Sequence, residues 1–170
     1  MDRFDALILD ALQRDTRQTA EALAARVGLS ADACRKRANR LRAEGYVEAD
    51  AARLSPEKLG RGLMLVVEVT LMQERPAALD RFKQRMHAAP EVMQCYYVTG
   101  DADFILILSA RDMADYRAFT QRHFFDEENV SRFRTSAVME RVKTGFTMPV
   151  PSASEDSTLG TAGSAPDATD

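Results

Sequence analysis

Cysteine and histidine are scarce: two of each in 170 residues, too few and too scattered for a disulfide framework or a histidine-based metal centre. Cys34 falls on an apolar helical stripe and Cys95 inside a strand-like run, so both read as small core residues. His87 and His123 fall on separate predicted helices and read as ordinary imidazoles. Long apolar runs are also missing. The run at 63–67 is far too short to cross a membrane, and the N-terminus has no secretory apolar segment, so a soluble cytoplasmic protein is expected. No Ser-His-Asp spacing, phosphate-binding glycine loop or dinucleotide fingerprint occurs. Asp101 and Asp103 are spaced by two, but no glycine at the sixth place or glutamate at the twelfth completes a calcium loop. No catalytic residue, metal or cofactor is therefore expected.

A large excess of one charge is absent too. Net charge is −3, but its distribution is uneven: residues 1–62 hold 12 Lys and Arg against 10 Asp and Glu, 63–149 hold 11 against 12, and the remainder holds none against 4. The positive field is local, so the chain is not a basic nucleic-acid coat. Hydrophobic residues make up 45% of the chain, enough for one or two small domains.

Much of what is present lies in residues 19–47, TAEALAARVGLSADACRKRANRLRAEGYV. Thr19 caps a helix whose Ala20, Leu23, Ala24 and Val27 share a face, and Gly28 ends it. Ser30 caps the next helix, Asp32 sits in its first turn, and Cys34, Ala38 and Leu41 form its apolar stripe. The opposite face carries Asp32, Arg35, Lys36, Asn39 and Arg40, with Arg42 in the last turn. Arg37 lies beside the buried stripe, where it either braces the helix pair against a carboxylate or meets a duplex backbone. A helical pair with cations on its second helix predicts a helix-turn-helix, whose Arg, Lys and Asn can reach phosphates or base edges in the major groove. Taken alone, a solvated helix face fits the charge run equally well. A preceding helix with Phe4, Leu7, Ile8, Ala11 and Leu12 completes a three-helix core, and YVEADAARL after Gly45 suggests a short hairpin or wing.

From Leu63 the periodicity changes. LMLVVEVTL reads as a strand. Pro76 opens a helix with Leu79, Phe82 and Met86, closed by Pro90. VMQCYYVT and FILILS form a hairpin across Gly100-Asp101-Ala102-Asp103. Asp112 starts a helix with Met113, Tyr116, Thr120 and Phe124, Asp126-Glu127-Glu128 makes an acidic turn or a repulsive cluster relieved by a cation, and VSRFRTSAVMERV is a long last strand. The order βαββαβ predicts a ferredoxin-like α+β domain with one sheet face under two helices and the other bare. Apolar Met64 and Val66 on that bare face call for a cover, and a second copy, sheet against sheet, suits a helix-turn-helix protein addressing two half-sites. The expected layout is a winged helix-turn-helix at 1–50, a hinge at 51–62, the βαββαβ domain at 63–149 and a disordered acidic tail at 150–170.

These pieces occur in an order that resembles the leucine-responsive regulatory protein (Lrp/AsnC) family of bacterial and archaeal transcription regulators. The resemblance covers residues 2–149 and rests on DRFDALILDALQRDTRQT, LAARVGLSADACRKRANRLRAEGYV, LSPEKLG, CYYVTGDADF and RTSAVMERVK. It implies dimers that assemble into tetramers, octamers or larger discs on double-stranded DNA, nucleoid-associated, and an effector that is an amino acid or related metabolite. It also implies an effector pocket between dimers, lined by Val98, Thr99, Gly100, Asp101, Ala102 and Asp103, with Thr135 near by. Ala102 stands where the family often carries an aromatic residue, which enlarges or depolarises one wall. In that pocket Asp101 or Asp103 would accept from an ammonium while loop N–H groups hold a carboxylate. On the residues alone, a tight turn with aspartates chosen for local hydrogen bonds fits the loop as well. An effector-independent architectural DNA-binding protein of the same fold is the alternative function. An enzyme would need an acid, base or nucleophile constellation that the sequence does not contain.

Overall fold

The computed structural model describes residues 1–145 and 147–151, and contacts divide the chain into two units. One is residues 1–52 with the described residues from Thr144 on, and the other is 53–143. The acidic tail expected from residue 150 lies, beyond Pro151, outside the described residues.

The first unit holds α1 (Arg3–Leu12), α2 (Ala20–Val27) and α3 (Ala31–Ala43). Each starts on a side chain that satisfies an otherwise orphaned backbone N–H. Asp2 and Asp5 form a reciprocal capping box on α1, the Thr19 hydroxyl accepts from Ala22 N and the Ser30 hydroxyl from Ala33 N. Gly28 ends α2 at φ 80°, a left-handed conformation that a side chain resists. Ile8, Ala11, Leu12, Leu23, Val27, Cys34, Ala38 and Leu41 form the buried core, which matches the predicted stripes. Among the described residues of this unit no strand follows α3. The expected wing is absent because EADAAR at 48–53 offers only alanine to an apolar face, and an isolated two-stranded ribbon without one is not stable. Instead Tyr46 N bonds Leu41 O, and Arg42 reaches Asp50 at 3.2 Å. The segment after Thr144 returns to α1, where the Gln13 amide accepts from Met148 N at 2.9 Å and donates to Met148 O at 3.0 Å.

The second unit has β1 (Leu63–Leu71), α4 (Pro76–Ala88), β2 (Val92–Tyr97), β3 (Phe104–Ala110), α5 (Met113–Thr120), a π-helical turn (Gln121–Phe125) and β4 (Val130–Ala137). The strands form one antiparallel sheet in the order β2-β3-β1-β4, the βαββαβ topology predicted. Leu65, Val67, Val69 and Leu71 face inward with Phe104, Leu106 and Leu108, against Phe82 and Met86 of α4, Tyr116 and Phe119 of α5, and Phe124 of the π-helical turn. Partly exposed Cys95 packs against this core. The acidic turn is partly buried, because Glu127, only 8% exposed, binds Arg81 at 3.0 Å and also Arg85. Asp126 and Glu128 stay exposed in the acidic turn, while two arginines neutralise Glu127. The last strand ends at Ala137, short of the predicted Val142.

The hinge is tied to the sheet of its own unit. Arg61 donates to the hydroxyl of Ser109 at 3.2 Å and to its carbonyl, and Arg141 meets Glu57 at 2.7 Å. The uncovered sheet face carries partly exposed Met64, Val66, Ile105 and Ile107 across β1 and β3, with half-exposed Tyr96 on β2 and the Glu68–Arg134 pair at 3.5 Å toward β4.

Candidate functional site

On α3 the predicted cations separate by what they touch. Arg37 donates to Asp2 at 2.6 Å and Asp5 at 2.8 Å and lies over the Phe4 ring, the brace that its place beside the stripe implies. Arg40 is exposed on the outward face as expected, and it also donates to Asp5 at 2.7 Å and pairs with Glu44 at 3.2 Å. Its length lets it reach back over the helix to a carboxylate that is 2% exposed. Arg42 is likewise held by Asp50. The face open to solvent is Asp32, Arg35, Lys36, Asn39 and Arg40, next to the Ser30 cap, and of its cations Arg35 and Lys36 touch no carboxylate outside α3 among the described residues. Arg35 at 2.5 Å and Lys36 at 3.0 Å both rest on Asp32, exposed intrahelical pairs that cost little to break in exchange for phosphate.

The anchor of this arrangement is Asp5, which sequence reasoning missed although the Asp2-x-x-Asp5 spacing signals a capping box. Burial alone would raise its carboxyl. Hydrogen bonds from Arg40, the Asp2 backbone and Arg37, with the Arg40 charge, outweigh that and lower it to about 2.

The loop Val98–Asp103 closes the hairpin between β2 and β3. Val98 N donates to Asp103 O at 2.9 Å and Asp103 N to Val69 O at 3.0 Å, while Gly100 sits at φ 124°. The Asp103 carboxylate accepts from Leu71 N at 2.6 Å, at the end of β1. The Asp101 carboxylate has no cation within 4 Å among the described residues, and the Ala102 methyl adds no polar group to the loop. Thr135 does not join the loop. It pairs with Val67 on the helix-covered face, and its hydroxyl is 2.5 Å from that of Tyr116, whereas the loop meets the opposite face at Thr70. Three residues of strand, about 10 Å, separate it from the level of Thr70.

The residue the structure does bring to the loop is Arg132. It pairs with Thr70 across β4 and β1, and its guanidinium lies 3.3 Å from the Thr70 hydroxyl and 3.4 Å from Asp101 O. The alternating pattern of β4 could have placed it on the uncovered face, but strand register was needed to set it beside the loop.

Other chemistry-bearing groups make no site. His123 stacks on Phe119 at 4.6 Å, and burial, then the charges of Arg85 and Arg122, push its pKa down. Burial raises the Cys95 thiol. Among the described residues no group of three or more His, Cys, Asp or Glu can hold a metal, and no helix is long and apolar enough to cross a membrane.

Comparison with known proteins agrees with both halves of the fold. Residues 1–42 match the AsnC-type helix-turn-helix domain and residues 64–148 the Lrp/AsnC ligand binding domain. An uncharacterized HTH-type transcriptional regulator of Sinorhizobium fredii is 47% identical over 88% of this chain and 89% of its own length. The leucine-responsive regulatory protein of Escherichia coli K12 is 35% identical, over 84% and 87%. Among solved structures, a transcriptional regulator of Neisseria meningitidis in complex with L-methionine superposes with a TM-score of 0.83 at 30% identity, covering 88% of this chain and 96% of that one. An AsnC family regulator of Agrobacterium tumefaciens gives 0.83 at 30%, over 94% and 100%. With a capped, cationic helix-turn-helix in one unit and a βαββαβ sheet in the other, each matched by its own family model, this chain belongs to the Lrp/AsnC family of transcriptional regulators.

Proposed function

We propose that α3 enters the major groove of double-stranded DNA, that the Val98–Asp103 loop receives an amino acid or related metabolite, and that two copies pair through their uncovered sheet faces. The protein regulates in the cytoplasm, where its DNA lies, and does no catalysis. The observation that carries this reading is the open face of α3. Ser30 and Asp32 stand at the helix N-terminus, where backbone N–H groups and the dipole favour phosphate, and Arg35, Lys36 and Asn39 follow along the same helix, where Arg, Lys and Asn can read base edges. Arg37, Arg40 and Arg42 support this face by holding carboxylates of their own unit. The relatives named for leucine response or crystallised with L-methionine support an amino-acid effector.

Residues 1–62 carry a net charge of only +2, so one copy binds weakly at physiological salt. Affinity comes from several copies held together. The test is a titration of an in-vitro-selected duplex with the wild type and the double variant Arg35→Ala/Lys36→Ala. The variant is expected to bind at least about tenfold more weakly, with a salt slope smaller by about 2, and to keep the wild-type assembly state. Unchanged binding would show that α3 is not the reading helix.

One observation favours the architectural alternative: Asp103 and the loop backbone are already engaged in structural hydrogen bonds. A thermal-shift screen against the common amino acids and their keto acids separates the two. A shift with any of them supports the effector reading, and a uniform lack of shift supports the architectural one.

A further inference from the structure

We infer that Asp32 and Arg35 read one G·C pair together, Arg35 donating to the guanine and Asp32 accepting from the amino group of its cytosine. This rests on the reading of α3 as the helix in the major groove and names the base pair that its first turn selects.

Asp32 is an anion on the face that meets a polyanion. It lies in the first turn of α3, where orphaned N–H groups and the dipole otherwise favour a phosphate, and the Ser30 hydroxyl already caps the helix. The carboxylates that hold the other arginines of α3 tie that helix to the rest of its unit: Asp2 and Asp5 bind Arg37, Asp5 binds Arg40 and Asp50 binds Arg42. Asp32 ties nothing. Its side chain is 55% exposed, and among the described residues its ion partners are Arg35 and Lys36 of its own helix. Exposed pairs of that kind add little to stability, whereas a carboxylate facing phosphates weakens binding to any sequence that offers it no donor.

The geometry supplies the donor it suits. Arg35 Nη2 lies 2.5 Å from Asp32 Oδ1, and Lys36 Nζ lies 3.0 Å from Oδ2. Hydrogen bonds from Lys36 and then Arg35 lower the Asp32 pKa, so the carboxylate stays ionised. A guanidinium with N–H donors to spare therefore stands beside a carboxylate with lone pairs to spare. In the major groove a G·C pair presents guanine N7 and O6, two acceptors, and then the cytosine amino group, a donor. Donors beside an acceptor on the protein match acceptors beside a donor on the base pair. An A·T pair fits badly, because its amino group lies between adenine N7 and thymine O4, and a carboxylate there meets an acceptor on either side. Lys36, resting on the second oxygen, keeps N–H donors for a phosphate.

The test is an anisotropy titration of the intact protein with the in-vitro-selected duplex and with copies in which each cytosine in turn is N4-methylated. That group keeps the pairing and the guanine but puts a methyl where the groove-facing amino hydrogen was. Methylation of one cytosine per half-site is expected to weaken the wild type by about tenfold or more. Asp32→Ala should melt as the wild type does, because Asp32 is exposed and Ser30 keeps the cap. The same methylation should change its affinity by less than about twofold, and its binding to a random-sequence duplex should tighten, since an anion has left the face. A wild type that tolerates methylation at every cytosine, or an Asp32→Ala protein as sensitive as the wild type, would overturn the shared readout and leave Asp32 a helix-stabilising anion. Either result is distinct from failure of the α3 reading, in which Arg35→Ala/Lys36→Ala binds the duplex unchanged.

Discussion

A single carboxylate decides how the helical unit is held. Asp5 is 2% exposed yet ionised, because Arg37 and Arg40 converge on it from α3 while Asp2 closes the capping box from α1. Replacing it by alanine leaves two guanidiniums facing a buried gap. The expected cost is about 2 kcal/mol, below the figure for a fully buried pair because both arginines keep contact with water. The sign of its pH dependence follows from its lowered pKa. With a folded value of about 2 against an ordinary aspartate value of 3.8, the unfolded chain binds the proton more readily. The contribution is complete above about pH 4 and is lost as the pH falls toward 2. Amide protection factors in α1 and α3 of the intact chain should therefore fall over that interval in the wild type and much less in Asp5→Asn. The role of Arg37 was legible from its place beside the Cys34–Leu41 stripe. That of Arg40 was not, because helical spacing gives the direction of a Cα–Cβ bond and a long side chain can reach to either side of it.

Among the elements, those set by local chemistry were readable in advance. Ser30, Thr19 and Gly28 bound α2 and α3 where capping rules place them, since a hydroxyl three residues from an orphan N–H needs no tertiary partner. The weak alternation of residues 46–54 suggests a wing that does not form, because a strand there has almost nothing apolar to bury. The separation of Thr135 from the loop, and the arrival of Arg132 there, depend on the register of β4 on β1, which no local pattern fixes. The loop depends on Gly100, whose φ of 124° a side chain strains to adopt although an added Cβ would meet nothing within 4 Å. Gly100→Ala should cost about 1 kcal/mol or more from the backbone alone, read as a lower denaturation midpoint with an unchanged m-value. On the effector reading proposed for this loop, ligand-induced thermal shift should fall with it.

At the scale of the whole molecule, the proposed reading assigns contact with DNA and the strength of that contact to different units. The helix-turn-helix carries too little net charge to hold a duplex alone, and the sheet of the second unit leaves Met64, Val66, Ile105 and Ile107 partly exposed. Burying such a face is the strongest reason in the structure for a second copy. A charge placed at its centre, as in Val66→Glu/Ile107→Glu, should give a folded monomer by light scattering, since the inward faces of β1 and β3 are untouched. That variant also supports the most direct test of the account: its affinity for an in-vitro-selected duplex, measured by fluorescence anisotropy beside the wild type over a range of salt. The account predicts binding weaker by about a hundredfold or more, with a shallower salt slope, because one copy of α3 then acts without a partner. A folded monomer that binds the duplex as tightly as the wild type would contradict it.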